Sequence, residues 1–145
     1  MKYVLMSIKK KYSDLIFSGE KTIEVRTTQP MELPARVFLY ESIGGGEGSG
    51  KIVGEFTVNT ISNYTLVNEF AGVENRYSIS AGDLTRTCIT ANELDEYARK
   101  RPFFGWHISD LCKYTYPKTL NDFELKRPPM SWQYVSKAII KRNDL

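Results

Sequence analysis

The first twenty-six residues change hydrophobic period twice, and this restricts the fold more than any other feature. Tyr3 to Ile8 is an apolar run of strand length. Ile8, Tyr12, Leu15 and Ile16 then fall at i, i+4, i+7 and i+8, the spacing of one helix face. Gly19 stops that helix, because glycine tolerates the backbone found just past a helix C-terminus. Lys21 to Arg26 alternates and is rich in β-branched residues, so it reads as a second strand. A strand, a helix and a strand in so short a span point to a mixed fold.

The rest of the chain extends that pattern. Pro30 and Pro34 bracket a loop, and Arg36 to Ser42 is a strand. Gly44 to Gly50 is a turn that closes a hairpin onto a strand from Lys51 to Ile61. Leu66 to Val73 reads as a short helix. Thr90 and Glu93 have capping-box spacing ahead of Leu94, Tyr97 and Ala98, which predicts a helix over 91–101 ended by Pro102. Phe103 to Tyr116 reads as one or two strands. Pro128-Pro129 forces an extended segment, and Ser131 to Lys141 fits either strand or helix. The expectation is one α+β domain over residues 1–145: a small mixed β-barrel with flanking and inserted helices.

Hydrophobic residues make up 41% of the 145 and charged residues 26%, close to the globular average, which excludes disordered and collagen-like chains. No apolar run approaches the roughly 18 residues of a membrane span. The first apolar run has no small-residue cleavage site, so it reads as a strand in a cytoplasmic protein. Cys88, Cys112 and His107 are too few and too scattered for a zinc site, which wants about four ligands at close spacing. No metal and no cofactor are expected, the cysteines read as free thiols, and His107 reads as structural. Gly45 to Lys51 imitates a phosphate-binding loop. Ile52 stands where that loop needs a hydroxyl, and a strand follows where it needs a helix.

Charge is uneven along the chain. The net is +3 over residues 1–30, −6 over 31–97 and +6 over 98–145. If the ends meet, they form one basic face that attracts polyanions. The acidic middle leaves room for a basic protein partner, a reading with no other support.

The segment Gly19-Glu20-Lys21-Thr22-Ile23-Glu24-Val25-Arg26 carries the chemistry. Side chains two apart on a strand share a face, so Glu24 and Arg26 point together while Ile23 and Val25 point into the core. Lys21 joins the charged pair only if the chain turns between Gly19 and Thr22. An exposed ion pair of this kind contributes only about 0–1 kcal/mol, so by charge spacing alone it is unremarkable.

The segment resembles the G-x-K-x-x-E-x-R signature of the ASCH domain family, a branch of the PUA-like β-barrels, through Gly19, Lys21, Glu24 and Arg26. Ser7-Ile8-Lys9, Ile16-Phe17-Ser18-Gly19 and Lys51 to Phe56 are similar to the family's opening and hairpin, and Pro128-Pro129-Met130-Ser131-Trp132 resembles a closing motif. The resemblance implies a PUA-like fold and RNA binding in a basic cleft between the barrel and the helix before the signature strand, with a role in transcription- or translation-linked regulation. Lys21, Glu24 and Arg26 would line the cleft, Lys9 would extend its rim, Ser131 would add a hydroxyl and Trp132 a stacking surface. The alternative is a small hydrolase acting on a modified nucleoside or RNA, with Lys21 and Glu24 as its catalytic candidates. Glu24 stands where the family's amidohydrolase branch has threonine, which speaks against that branch's acyl transfer. The implied partner is RNA or a nucleoside.

Overall fold

The computed structural model describes residues 1–68 and 76–145. In chain order the elements are β1 (Lys2–Lys9), α1 (Lys10–Phe17), β2 (Ile23–Arg26), β3 (Ala35–Ser42), β4 (Ile52–Val58), β5 (Ile61–Tyr64), β6 (Leu66–Asn68) and β7 (Arg76–Tyr77). There follow α2 (Ala81–Thr87), α3 (Ala91–Ala98), β8 (Phe103–His107), β9 (Ser109–Lys118), a 3-10 turn (Leu120–Phe123), β10 (Trp132–Val135) and α4 (Lys137–Arg142).

Five strands form the larger sheet in the order β10-β1-β3-β4-β9. β1 and β3 run parallel, so the chain must cross over between them, and α1 and β2 lie on that crossover. β10 adds antiparallel to β1, so the first and the tenth strand lie side by side. The smaller sheet has the order β2-β8-β5, all antiparallel. The chain passes between these two sheets four times, and two of the passages are short, Asn59-Thr60 and Ile108. His107 N–H donates to Thr60 O at 3.1 Å and Ser109 Oγ donates to Thr57 O at 2.9 Å, tying the two passages together. The α+β class is as expected, but the pairings among the described residues leave the two main sheets joined at a corner, with β6 and β7 as a separate pair, rather than a closed barrel.

Alternation explains the core. Val4, Met6 and Ile8 of β1 face α1 and the smaller sheet, packing with Ile16, Leu39, Phe56 and Trp106. Leu5 faces the other way, with Phe38, Tyr40 and Ile52, and is covered by Phe123 and by Ile140 of α4. The central strands β1, β3 and β4 are therefore buried on both sides, while the edge strand β9 is largely exposed. An extra residue in β4, between the partners of Leu39 and Tyr40, forms a bulge. Gly54 is glycine for lack of room: a Cβ there would lie 2.6 Å from the Phe17 ring of α1. A third cluster, Val25, Leu94, Ala98 and Phe103, seals α3 onto the smaller sheet.

Three local expectations change. Leu66–Asn68 is a strand paired with β7, not the start of a helix. A backbone bond from Ser78 N–H to Thr65 O (2.8 Å) holds that ladder, and residues 69–73 of the expected helix lie outside the described residues. α3 has its capping box but ends at Ala98, because Arg99 and Lys100 take left-handed backbone (φ 50 and 64). Ser131 to Lys141 holds both structures in turn. Ser136 accepts the N–H of Ile139 (3.2 Å) and so starts α4 just after β10. Among the described residues no helix is long and apolar enough to cross a membrane.

Candidate functional site

Gly19 has φ +85 and ends α1, and the chain then folds back so that Lys21 N–H donates to Leu15 O at 3.0 Å. This is the turn that Lys21 needs to reach the face of Glu24. The strand begins only at Ile23, and alternation does the rest. Val25 packs beneath α3, while Glu24 and Arg26 point away from it.

The three charged tips meet. Lys21 Nζ lies 3.5 Å from Glu24 Oε1, and Arg26 Nη2 lies 3.2 Å from Glu24 Oε2. Lys21 is only 1% exposed and Glu24 5%. The Lys21 ammonium also donates to Thr87 O at the end of α2 and sits 5.2 Å from the Tyr12 ring centroid. Glu24 Oε1 accepts the N–H of Val25 at 2.9 Å. Burial pushes the Glu24 carboxyl up, but Arg26, Lys21 and the N–H donors together outweigh burial and hold it below the ordinary carboxylate range. Glu24 is therefore a carboxylate, an acceptor rather than a proton donor.

Arg26 is held by four bonds. Nη1 donates to Ser131 O (3.2 Å) and Ser131 Oγ (3.1 Å), and Nη2 donates to Ser7 O (2.7 Å) as well as to Glu24. Ser7 in turn donates its hydroxyl to Pro129 O at 2.6 Å. The guanidinium thus fastens β2 to β1 and to the segment before β10, with its orientation fixed.

Above these groups lies a cavity of about 620 Å³. Its floor is Glu24, Val25 and Arg26. One side is the end of β1 and the start of α1, with Ser7, Lys9 and Tyr12; Ser42 closes the end of β3. The opposite wall is α3 and its flanks, with Ile89, Glu93, Glu96, Tyr97 and Arg99, and Met130 stands at the mouth. The helix before the signature strand does border the cleft, as the resemblance implies.

The expected residues divide. Lys9, Glu24 and Arg26 line the cavity. Lys21 does not; it lies beneath the floor and acts through Glu24 and Thr87. Ser131 is engaged with Arg26 rather than open to the cavity. Trp132 is absent from the lining: its indole N–H donates to Thr28 Oγ1 at 2.8 Å and its ring meets Trp106 edge-on at 5.3 Å, so it does not offer the cavity a stacking face. His107 Nε2 lies 2.8 Å from Ser62 Oγ, outside the site. The lining is not basic either. Lys9, Arg26 and Arg99 are matched by Glu24, Glu93 and Glu96, because α3 comes from the acidic middle of the chain. Sequence reasoning missed the α3 wall. Its one signal is that Glu93, Glu96 and Tyr97 fall at i, i+3 and i+4, on a face other than that of Leu94 and Ala98.

A profile of the ASCH domain matches residues 6–125. The fold is similar to crystal structures of an ASCH protein from Zymomonas mobilis. One mutant of that protein gives a TM-score of 0.76 at 16% identity, over 97% of this chain and 93% of that one. A second mutant gives 0.76 at 16%, over 98% and 96%. The structure without a named mutation gives 0.72 at 16%, over 97% and 92%. At that identity the likeness concerns the fold, which is PUA-like as expected. No curated protein matches the chain.

Proposed function

The chain belongs to the ASCH domain family, and from that premise we propose that its cleft binds a nucleotide unit of RNA, or a nucleoside, in transcription- or translation-linked regulation. The observation that carries this reading is the fixed pair on the cavity floor: the Arg26 guanidinium, locked by Ser7, Ser131 and Glu24, beside an ionised Glu24. A rigid donor next to a rigid acceptor matches the edge of a nucleobase, and a guanidinium also suits a phosphate. Tyr97 of α3 supplies exposed aromatic surface, the element that unpaired bases stack upon, while the Tyr12 ring of α1 is approached by Lys11 and Lys21. A cavity of about 620 Å³ falls in the size range of small-ligand sites, about 300–1,000 Å³. It suits one base and sugar better than a duplex.

Binding is favoured over hydrolysis by the state of the catalytic candidates. Both oxygens of Glu24 already face donors, and Lys21 lies outside the lining. Held below the ordinary carboxylate range, Glu24 is a weak base. A carboxylate with three donors still keeps one lone pair for an N–H of a ligand. Lys21, beneath the floor, reaches no substrate.

The test is fluorescence anisotropy with a labelled single-stranded RNA, competed by nucleoside monophosphates. Arg26→Lys keeps the charge but loses the fork. It should weaken binding at least ten-fold. Tyr97→Ala, at a side chain 41% exposed, should weaken binding without shifting the melting temperature. Wild-type protein that binds neither probe, or binding that both variants leave unchanged, overturns the reading.

A further inference from the structure

The charge balance of the cleft narrows what it can accept. Three cations and three carboxylates line it, and they are not equivalent. On the floor, Lys21, Glu24 and Arg26 neutralise one another down to a single positive charge. On the wall, Glu93 accepts the Thr90 N–H at 3.3 Å within the capping box, which fixes it in the first turn of α3. Glu96 lies one turn further along the same face, exposed, with no ion-pair partner among the described residues. Lys9 and Arg99, both exposed, offset these two carboxylates, and Lys11, exposed on α1 and acting on Glu93, leaves a surplus of one. The phosphate of a nucleoside monophosphate carries about two negative charges, which the single excess charge of the floor and that of Lys11 together can meet. Each further phosphate of a strand brings a negative charge to a rim with nothing left to neutralise it, next to Glu93 and Glu96.

We infer that the carboxylates of α3, Glu96 foremost, limit the cleft to a nucleoside or a nucleotide bearing one phosphate, and select against an RNA strand. This rests on the nucleotide reading above and specifies its ligand class. Glu96 is the specificity-determining residue because its charge is the one not engaged in building the helix or the floor.

The probes are the four nucleoside 5′-monophosphates and a mixed-sequence pentaribonucleotide, titrated by calorimetry at several salt concentrations. The proteins are wild type, Glu96→Gln and Glu96→Lys, with thermal melts to show that all three are folded. In wild type, the pentanucleotide should bind no more than about three-fold tighter than the best monophosphate. Its log–log salt slope should be about −0.7, the value for one phosphate on a single strand. Glu96→Lys should raise the pentanucleotide's affinity about ten-fold, the monophosphate's by only about two-fold, and steepen the slope. Glu96→Gln should lie between. A wild-type pentanucleotide bound ten-fold or more tighter than any monophosphate, with a slope of about −2.8 for four phosphates, overturns the inference and leaves the nucleotide reading standing. The inference falls in the same way if the Glu96 variants shift neither affinity nor slope. Failure of every probe to bind wild type overturns both.

Discussion

The floor of the cleft and its helical wall handle charge in opposite ways. Lys21 and Glu24 are buried and Arg26 half-buried, both cations pair with Glu24, and the set is tied to α2, β1 and the segment before β10. Lys9, Glu96 and Arg99 are exposed and make no ion pair among the described residues. Buried charges cannot be altered singly without leaving a partner stranded. Exposed ones can change at little structural cost. The floor therefore holds the site's geometry, and the wall is where preference among ligands can be tuned.

This contrast can be broken most sharply at Glu24. Glu24→Gln strands Lys21 in the interior. Removing one partner of a buried pair costs roughly 3–5 kcal/mol. In a chain this size that should lower the melting temperature by about 10 °C, measured by circular dichroism. A shift under about 2 °C, the least that even 1 kcal/mol would give, would mean that the floor is no more structural than the wall.

The pH dependence sharpens the same point. The native Glu24 carboxyl titrates below the ordinary carboxylate range. Its stabilisation is complete above its unfolded value, about 4.3, and is lost as the pH falls through the lower native value. Between about pH 5 and pH 3, wild type should therefore lose more thermal stability than Glu24→Gln. Equal losses would contradict the assignment.

On the wall the effect should move from stability to binding. Tyr97→Ala removes a stacking face worth about 1–3 kcal/mol per base. Nucleotide affinity should fall roughly ten-fold while the melting temperature stays within about 2 °C. The smallest effect is expected at Trp132. Trp132→Phe loses the bond to Thr28 but no cavity surface. It should cost about 1 kcal/mol of stability or less and leave nucleotide affinity unchanged. A clear loss of affinity there would restore Trp132 to the site.

Local periodicity was enough to read the elements that use local signals. The strand–helix–strand opening, the stop at Gly19, the hairpin across Gly44 to Gly50 and the capping box at Thr90 all depend on residues within a turn or two of each other. The opposed faces of Ile23-Val25 and Glu24-Arg26 follow from alternation alone. Partners distant in sequence left no such trace. Nothing near Arg26 announces that Ser131, 105 residues away, accepts its N–H bonds. Nothing near Lys21 announces Thr87. Lys21 reads as part of the cleft lining because burial of an ammonium beneath it depends on acceptors supplied by another element. Trp132 reads as a platform because a sequence gives no direction to an indole. The charge tally by segment suggested a basic face, yet the wall is drawn from the acidic segment. Segment charge says little about which residues fold into a given cleft.

The pairing of β1 with β10, and the Arg26 bonds to Ser131, also govern when the pocket can exist. On the ribosome, the signature strand emerges early, and its guanidinium must wait for residues 129–135 before it finds those acceptors. Until then the nascent chain exposes one flank of β1 as an unzipped margin, a stage at which a holdase or a stray strand from a neighbouring chain could engage it. The braced floor of the cleft therefore arrives only after Ser131 and β10 have been made, and a copy stalled or cut ahead of them lacks it.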